Sequence, residues 1–282
     1  MKMPQENPNI AAVIGDPISH SLSPKLYNYW FQKYKILGHY IPLHIVQEDI
    51  KEALKILPKI GFAGLNVTIP HKEYILSLVD QVSDRAMATG AANVLTFLRD
   101  GTIHADNTDG IGFLSHMTQT IPSWKNHTDT VLILGAGGAA KAVVSALMLD
   151  NISQNIIITN RNPERAVALK NQFKSKSIKI RDWHDAPSVI EHANLIINTS
   201  PMGMEGYPGF SIDLSRLSPP TIVMDIVYTP LETELLRRAR AKGCETVDGL
   251  GMLFHQAVPA FKRWFGYQPC VDQNLYQAIL SR

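Results

Sequence analysis

The chain has 282 residues, and its 27 basic and 25 acidic side chains give a formal net charge of +2. This near balance argues against nucleic-acid-binding and membrane-surface proteins, which carry a larger basic excess. Hydrophobic residues make up 45% and charged residues 18%, as in folded globular proteins, and at about 150 residues per domain the length predicts roughly two domains.

The first part of the chain alternates predicted strands with predicted helices. Gln47–Leu57 has apolar residues at helical spacing, and Lys72–Ala88 is predicted as one helix. Asp100 and Gly101 predict the turn of a hairpin. The predicted strands are Asn9–Gly15, Tyr40–Val46, Phe62–Thr68, Asn93–Leu98 and Thr102–Asp106.

After a polar segment at residues 117–130 the strands become continuously apolar. Such runs are typical of strands covered on both faces, and strands alternating with helices such as Ala139–Leu149 indicate a parallel sheet. We therefore predict an α/β fold class with two α/β domains, divided between Asp106 and Asp129. The strands predicted here are Thr130–Leu134, Asn155–Thr159, Leu195–Asn198 and Thr221–Ile226.

A glycine-rich turn of the form G-x-G-x-x-A joins the strand Thr130–Leu134 to the alanine-rich helix. Glycine lets the backbone turn tightly and lets a pyrophosphate approach the N-terminus of the helix, where unpaired N–H groups hold the anion. A strand followed by a helix is the context that a dinucleotide site requires, whereas the alternative is a turn without a ligand. The turn residues are Gly135, Ala136, Gly137, Gly138, Ala139 and Ala140.

The end of the next strand, at residues 159–162, bears on the choice of cofactor. It contains no carboxylate to bind the ribose hydroxyls of NAD. Asn162 can cap a helix that begins at Pro163, which leaves Arg161 and Arg165 near its first turn. Because guanidinium groups bind phosphate in a bidentate manner, we predict NADP(H), the alternative being two solvated surface arginines.

Several short polar motifs in the rest of the chain could bind a small molecule, although each alone is typical of a turn or a helix cap. Together, and in this order, they resemble the shikimate dehydrogenase family over nearly the whole chain. The motifs are Gly-x-Pro-x-x-His-Ser-x-Ser-Pro at 15–24, Asn-Val-Thr-x-Pro-x-Lys at 66–72, Gly-Ala-x-Asn at 90–93, Asn-Thr-Asp-Gly-x-Gly at 107–112, the glycine-rich turn at 135–140, Asn-Arg at 160–161, and Asp-Gly-x-Gly-Met-Leu-x-x-Gln at 248–256.

This resemblance implies reversible, NADPH-dependent reduction of 3-dehydroshikimate to shikimate in aromatic amino-acid biosynthesis. It implies an N-terminal substrate domain at 1–108 and 249–282, to which C-terminal helices return, and a Rossmann-like NADP domain at 109–248, with the active site in the cleft between them. Tyr27 and Asn162 depart from the family pattern, which often has histidine and threonine there.

The resemblance also implies the roles of individual residues. Lys72 and Asp109 would be the catalytic pair. The substrate carboxylate would bind Ser21 and Ser23. Further substrate contacts would be Thr68, Lys72, Asn93, Asp109, Tyr228 and Gln256. Cofactor contacts would be the six residues of the glycine-rich turn together with Asn160, Arg161, Arg165, Ile226 and Gly249.

These residue types suit the chemistry of ketone reduction. The nicotinamide supplies a hydride, and the protein must stabilise and protonate the new alkoxide. The ammonium group of Lys72 can stabilise that oxygen, and the carboxylate of Asp109 can orient the lysine and relay protons. Serine, asparagine and glutamine side chains satisfy the many donors and acceptors of a polyhydroxylated acid.

Three alternatives remain open: a quinate/shikimate dehydrogenase with relaxed cofactor use, a ligand sensor without turnover, and another NADP enzyme of similar architecture. The expected partners are a small-molecule substrate and NADP, with no nucleic acid, membrane or metal ion, and the expected state is a monomer or homodimer. The histidines lack cysteine or carboxylate neighbours at ligand spacing, so packing roles are expected for them.

The two cysteines, Cys244 and Cys270, have no paired spacing that would indicate a disulfide scaffold or a zinc site. The sequence also shows no secretory signal and no apolar run of about 18 residues that could form a transmembrane helix. We therefore expect a reducing, cytoplasmic location.

Overall fold

The structure, a computed structural model, describes residues 9–281 apart from the side chains of Asn9 and His127. These residues form two compact units. The first unit contains the chain up to Thr108 and again from Phe254, and the second contains Asp109–Leu253. Among the residues described, no helix is both long and apolar enough to cross a membrane.

The first unit is built on a mixed six-stranded sheet in the order β2-β1-β3-β5-β6-β4. The pairs β1–β2, β1–β3 and β4–β6 are parallel, and the pairs β3–β5 and β5–β6 are antiparallel. The predicted hairpin at Asp100 and Gly101 is confirmed by the antiparallel pairing of β5 with β6. The strands are β1 (Asn9–Gly15), β2 (Gly38–His44), β3 (Phe62–Val67), β4 (Gln81–Val82), β5 (Val94–Phe97) and β6 (Ile103–Asp106).

The second unit is built on a parallel six-stranded sheet in the order β12-β11-β10-β7-β8-β9. Read from β9, this is the 3-2-1-4-5-6 order of the Rossmann fold, and the strand order reverses beside β7. The strands are β7 (Thr130–Leu134), β8 (Asn155–Thr159), β9 (Ile178–Ile180), β10 (Leu195–Asn198), β11 (Ile222–Asp225) and β12 (Glu245–Val247). The predicted two-domain α/β fold is thus confirmed.

In the described part of the chain, ten α-helices accompany the two sheets. The division between the units at Phe254 falls inside α9, so the first unit takes in most of that helix and all of α10. The helices are α1 (Ser23–Tyr34), α2 (Ile50–Ile56), α3 (Asp84–Thr89), α4 (Asp109–Thr120), α5 (Gly138–Leu149), α6 (Pro163–Phe173), α7 (Ala186–Ile190), α8 (Glu234–Ala241), α9 (Leu250–Phe265) and α10 (Gln273–Leu280).

The central strand β7 shows why continuous apolar runs predicted this sheet so well. Val131 and Ile133 pack in a core on one face of the sheet, and Leu132 and Leu134 pack in a second core on the other face. Successive side chains of a strand point to opposite faces, so a strand covered on both sides needs apolar residues at every position.

The prediction of one continuous helix over Lys72–Ala88 is wrong. The structure has a single helical turn at Tyr74–Leu78, the short strand β4, and then α3. The backbone of Asp80 donates to Ile103 O, and that of Ser83 donates to Ala105 O. Pairing with β6 therefore interrupts a segment whose apolar spacing alone favours a helix. Ser83 then caps α3 by accepting a hydrogen bond from the Ala86 N–H.

Candidate functional site

The glycine-rich turn follows β7 at the point where the strand order of the second sheet reverses. Gly135 has φ = +116°, and a Cβ there would lie 2.8 Å from Thr199 Oγ1 on the chain that leaves β10. Glycine is therefore required for both its conformation and its small size. The helix α5 begins at Gly138, and its cap residue Gly137 offers no side chain to the free N–H groups. This arrangement suits a phosphate group.

The end of β8 presents two cationic side chains beside the start of α6. Asn162 Oδ1 accepts a hydrogen bond from the Glu164 N–H at 2.9 Å and caps the helix, as predicted. Asn160 Nδ2 donates to Asn162 O at 2.7 Å and stabilises the same turn. Arg161 and Arg165 are exposed, and within residues 9–281 neither guanidinium group pairs with a carboxylate. Both are thus available to an anionic ligand.

The loop that follows β11 carries Ile226 and Tyr228, two of the predicted site residues, and a buried carboxylate anchors it. Asp225 accepts hydrogen bonds from Asn198 Nδ2 at 2.9 Å, the Val227 N–H at 3.0 Å and Thr233 Oγ1 at 2.7 Å. Burial raises the pKa of Asp225 to about 6, although these three donors act in the opposite direction. Burial also raises the pKa of Tyr228.

Gly249 lies against the same loop, immediately before α9. A Cβ at this position would lie 2.1 Å from Ile226 O and 2.8 Å from Val227 O, so there is no room for a side chain. Asp248 Oδ1 accepts from the Leu250 N–H at 2.8 Å and fixes the turn. The structure therefore brings together Ile226 and Gly249, which are distant in the sequence.

The substitution Gly249→Ala is expected to push the turn away from the Ile226 carbonyl. We expect the KM for NADP⁺ to rise about tenfold and the free energy of unfolding to fall by about 2 kcal/mol. Steady-state kinetics and thermal unfolding measure the two effects. Gly209→Ala is the control, because a Cβ there meets nothing within 4 Å. Kinetics and stability equal to those of the control would contradict the prediction.

In the first unit, the two predicted carboxylate-binding serines lie where the chain enters α1. The backbone N–H of Ser23 donates to Ser21 Oγ at 3.3 Å, which leaves the Ser21 hydroxyl proton free to donate elsewhere. Ser23 is buried and is the first residue of α1, and Pro24 follows it in the first turn.

The loop after β3 carries Thr68 and Lys72, and hydrogen bonds fix it to three other segments of the unit. The Thr68 N–H donates to Ile14 O at 3.0 Å, and the Ala92 N–H donates to Lys72 O at 2.8 Å. The fully buried His71 bonds through Nε2 to Ile45 O at 2.7 Å. Both predicted side chains therefore project from a rigid backbone.

Three residues that are far apart in the sequence meet around the side chain of Asn93, which is 1% exposed. Asn93 Nδ2 donates to Gln256 Oε1 at 2.7 Å, and Asn93 Oδ1 accepts from the Thr108 N–H at 2.8 Å. Thr108 Oγ1 donates to Gln256 O at 2.8 Å. Two predicted substrate residues are thus joined by Thr108. Asp109, the predicted catalytic carboxylate, is the first residue of α4 in the second unit and is buried.

Sequence reasoning did not single out Asp225, Asn198 or Thr108 as residues that hold the site. Asp225 and Asn198 each end a continuously apolar strand, and a polar residue at the carboxyl end of such a strand was the available signal. Thr108 lies inside the motif at 107–112, in which only Asp109 is a predicted site residue.

Two family models match the chain in succession. The shikimate dehydrogenase substrate binding domain matches residues 13–95, and the shikimate / quinate 5-dehydrogenase model matches residues 117–202. A shikimate dehydrogenase (NADP(+)) from Jannaschia sp. (strain CCS1) is 54% identical over 272 residues, which are 96% of this chain and 97% of the relative. The chain belongs to the shikimate dehydrogenase family.

Solved structures of the family agree with this assignment. Shikimate 5-dehydrogenase from Thermus thermophilus, in complex with NADP(H) and shikimate, has a TM-score of 0.85 and 31% identity, covering 96% of this chain and 98% of that one. Quinate dehydrogenase from Corynebacterium glutamicum, in complex with NAD, has a TM-score of 0.89 and 33% identity, covering 97% of this chain and 99% of that one. The fold itself is therefore shared by enzymes with different cofactors.

Proposed function

We propose that this member of the shikimate dehydrogenase family catalyses the reversible, NADPH-dependent reduction of 3-dehydroshikimate to shikimate. The observation that carries the proposal is 54% identity to an NADP(+)-dependent shikimate dehydrogenase over 96% of the chain. The convergent amide and hydroxyl groups of Asn93, Thr108 and Gln256 add a donor and acceptor set suited to a polyhydroxylated ring.

The residues of the second unit fit NADP. The glycine-rich turn would hold the pyrophosphate at the start of α5, and Arg161 and Arg165, just before and within the first turn of α6, would hold the 2′-phosphate. Ile226 and Gly249 would also contact the cofactor, and Gly249 packs too closely against Ile226 O to carry a side chain. When bound, the cofactor supplies the hydride for the carbonyl carbon.

In the first unit, Ser21 and Ser23 would bind the substrate carboxylate, with the free hydroxyl proton of Ser21 as the direct donor. Thr68, Asn93 and Gln256 would contact the ring hydroxyls, and Tyr228 would also contact the substrate. Hydroxyl and amide groups in fixed positions orient the substrate without ordering costs at each turnover.

Lys72 and Asp109 are the proposed catalytic pair. The ammonium group of Lys72 would stabilise the negative charge that develops on the carbonyl oxygen and donate a proton to it. Asp109 would hold the adjacent hydroxyl and relay protons. A preorganised cation at the developing charge is the largest catalytic contribution that these residue types can make.

The proposal is tested by following nicotinamide absorbance with shikimate and NADP⁺, beside shikimate with NAD⁺ and quinate with each cofactor. We expect efficient turnover only with shikimate and NADP⁺. Comparable efficiency with quinate or NAD⁺ would replace the proposal by a quinate/shikimate dehydrogenase of relaxed cofactor use. Folded protein that turns over none of the four pairs would overturn the enzymatic assignment in favour of a ligand sensor.

We further propose that the enzyme works in the cytoplasm as a monomer or homodimer. Cys244 and Cys270 are free thiols, which suits a reducing compartment. Light scattering coupled to size-exclusion chromatography distinguishes the two assembly states.

A further inference from the structure

Two buried tyrosines stack on one another in the core of the first unit. The ring centroids of Tyr27 on α1 and Tyr40 on β2 are 3.8 Å apart, and the angle between the ring planes is 13°. The two residues are 0% and 3% exposed. Their hydroxyls both donate to Asn66 Oδ1, at 3.0 Å and 2.7 Å. Burial raises the pKa of both phenols, so both remain protonated donors.

The orientation of the Asn66 carboxamide follows from its partners. Asn66 Nδ2 donates to Asn93 O at 3.0 Å, and a backbone carbonyl can only accept. The opposite atom is therefore the amide oxygen, whose two lone pairs receive the two phenolic protons. Asn66 is 6% exposed, so each of these bonds replaces contact with water.

This arrangement connects both ends of the proposed substrate site. On one side, Tyr27 lies about one turn beyond Ser23, the first residue of α1, so the bond from its hydroxyl to Asn66 Oδ1 holds the start of that helix. On the other side, Asn93 bonds through its own side chain to Gln256. The Tyr27 hydroxyl lies 3.5 Å from Ala257 O, next to Gln256. Hydrogen bonds thus link the start of α1, which begins at Ser23, through Asn66 and Asn93 to Gln256 within one compact unit.

We propose that Tyr27 and Tyr40 are positioning residues for substrate binding, acting through Asn66 to fix Ser23 relative to Asn93. Their hydroxyls are engaged with Asn66, so they act without contacting the substrate. The inference rests on the proposed function, because it assumes that Ser23 binds the carboxylate and that Asn93 binds a hydroxyl of the same molecule.

Packing alone does not explain the two hydroxyls. A pair of phenylalanines would fill the same space and would avoid burying polar atoms. Asn66 is on β3, two residues before Thr68, and its amide reaches the carbonyl of another site residue. Two donors on one amide oxygen restrict that side chain to a single rotamer. Such a constraint is useful where the separation of two ligand-binding groups must match a rigid ring.

The test compares Tyr27→Phe and Tyr40→Phe with the control Tyr34→Phe. Tyr34 lies on the same helix as Tyr27, and its hydroxyl accepts from the Cys270 N–H, outside the network. Calorimetry measures shikimate binding to each protein alone, and kinetics give kcat and both KM values. We expect the Kd and KM for shikimate to rise about tenfold in each variant, with kcat and the KM for NADP⁺ changed less than about twofold.

The double variant provides a second measurement. Because both hydroxyls act through one amide oxygen, its effect on shikimate affinity should differ clearly from the sum of the single effects. Variants that bind shikimate as tightly as the wild type, or whose two KM values rise equally, would overturn the inference. Loss of folding in both single variants would also overturn it, since the pair would then serve only the core.

The outcome is separable from that of the proposed function. Wild-type protein that binds shikimate but does not turn it over would contradict the proposed function and leave the binding comparison valid. Wild-type protein that does not bind shikimate would overturn both.

Discussion

Replacement of Lys72 by alanine is expected to lower kcat by about two to three orders of magnitude, with the KM for shikimate changed less than about tenfold. The ammonium group is needed most when the carbonyl oxygen becomes an alkoxide, so its loss affects the transition state more than the ground state. Steady-state kinetics in the direction of shikimate oxidation measure both constants.

Lys59→Ala is the matched control for this experiment. Lys59 is an exposed lysine of the same unit and is outside the proposed site, so its replacement should leave kcat unchanged. We expect Lys72→Ala to keep the fold, because the loop is held through backbone groups and His71. A near-normal kcat in Lys72→Ala would end the assignment of Lys72 as a catalytic residue.

Replacement of Arg161 by alanine is expected to raise the KM for NADP⁺ by about 10- to 100-fold, with the KM for NAD⁺ nearly unchanged. The 2′-phosphate is the group that distinguishes the two cofactors, and a guanidinium group binds it through charge-assisted hydrogen bonds. Arg165→Ala should act in the same direction, and the ratio of the two KM values is the quantity to compare.

Arg237→Ala serves as the control, because Arg237 is an exposed arginine of the same unit that pairs with Glu234 on α8. The preference for NADP⁺ should also weaken at high salt, as surface charge interactions are screened. An equal rise in KM for both cofactors in Arg161→Ala would mean that Arg161 maintains the turn after β8 and does not bind the 2′-phosphate.

The elements that the sequence predicted most accurately are the strands and the turn whose residue pattern does not depend on one particular long-range contact. The strands β7, β8 and β10 were predicted at their observed bounds, since the inner positions of a strand covered on both faces are continuously apolar. The glycine-rich turn was predicted for a related reason. A phosphate-binding turn needs small residues at fixed intervals within a few consecutive positions, so a short stretch of sequence is enough to identify it.

The fold class, the dinucleotide-binding turn and the order of the motifs could thus be predicted from the sequence, because each depends on residues that are close in the chain. Three features became visible only in the folded chain: Lys72–Ala88 does not form one helix, Asp225 anchors the loop after β11, and two tyrosines meet at Asn66. In each case backbone or polar groups find partners that are distant in sequence. Apolar spacing records which side of a segment is buried, and it carries no information about which distant donor or acceptor meets it.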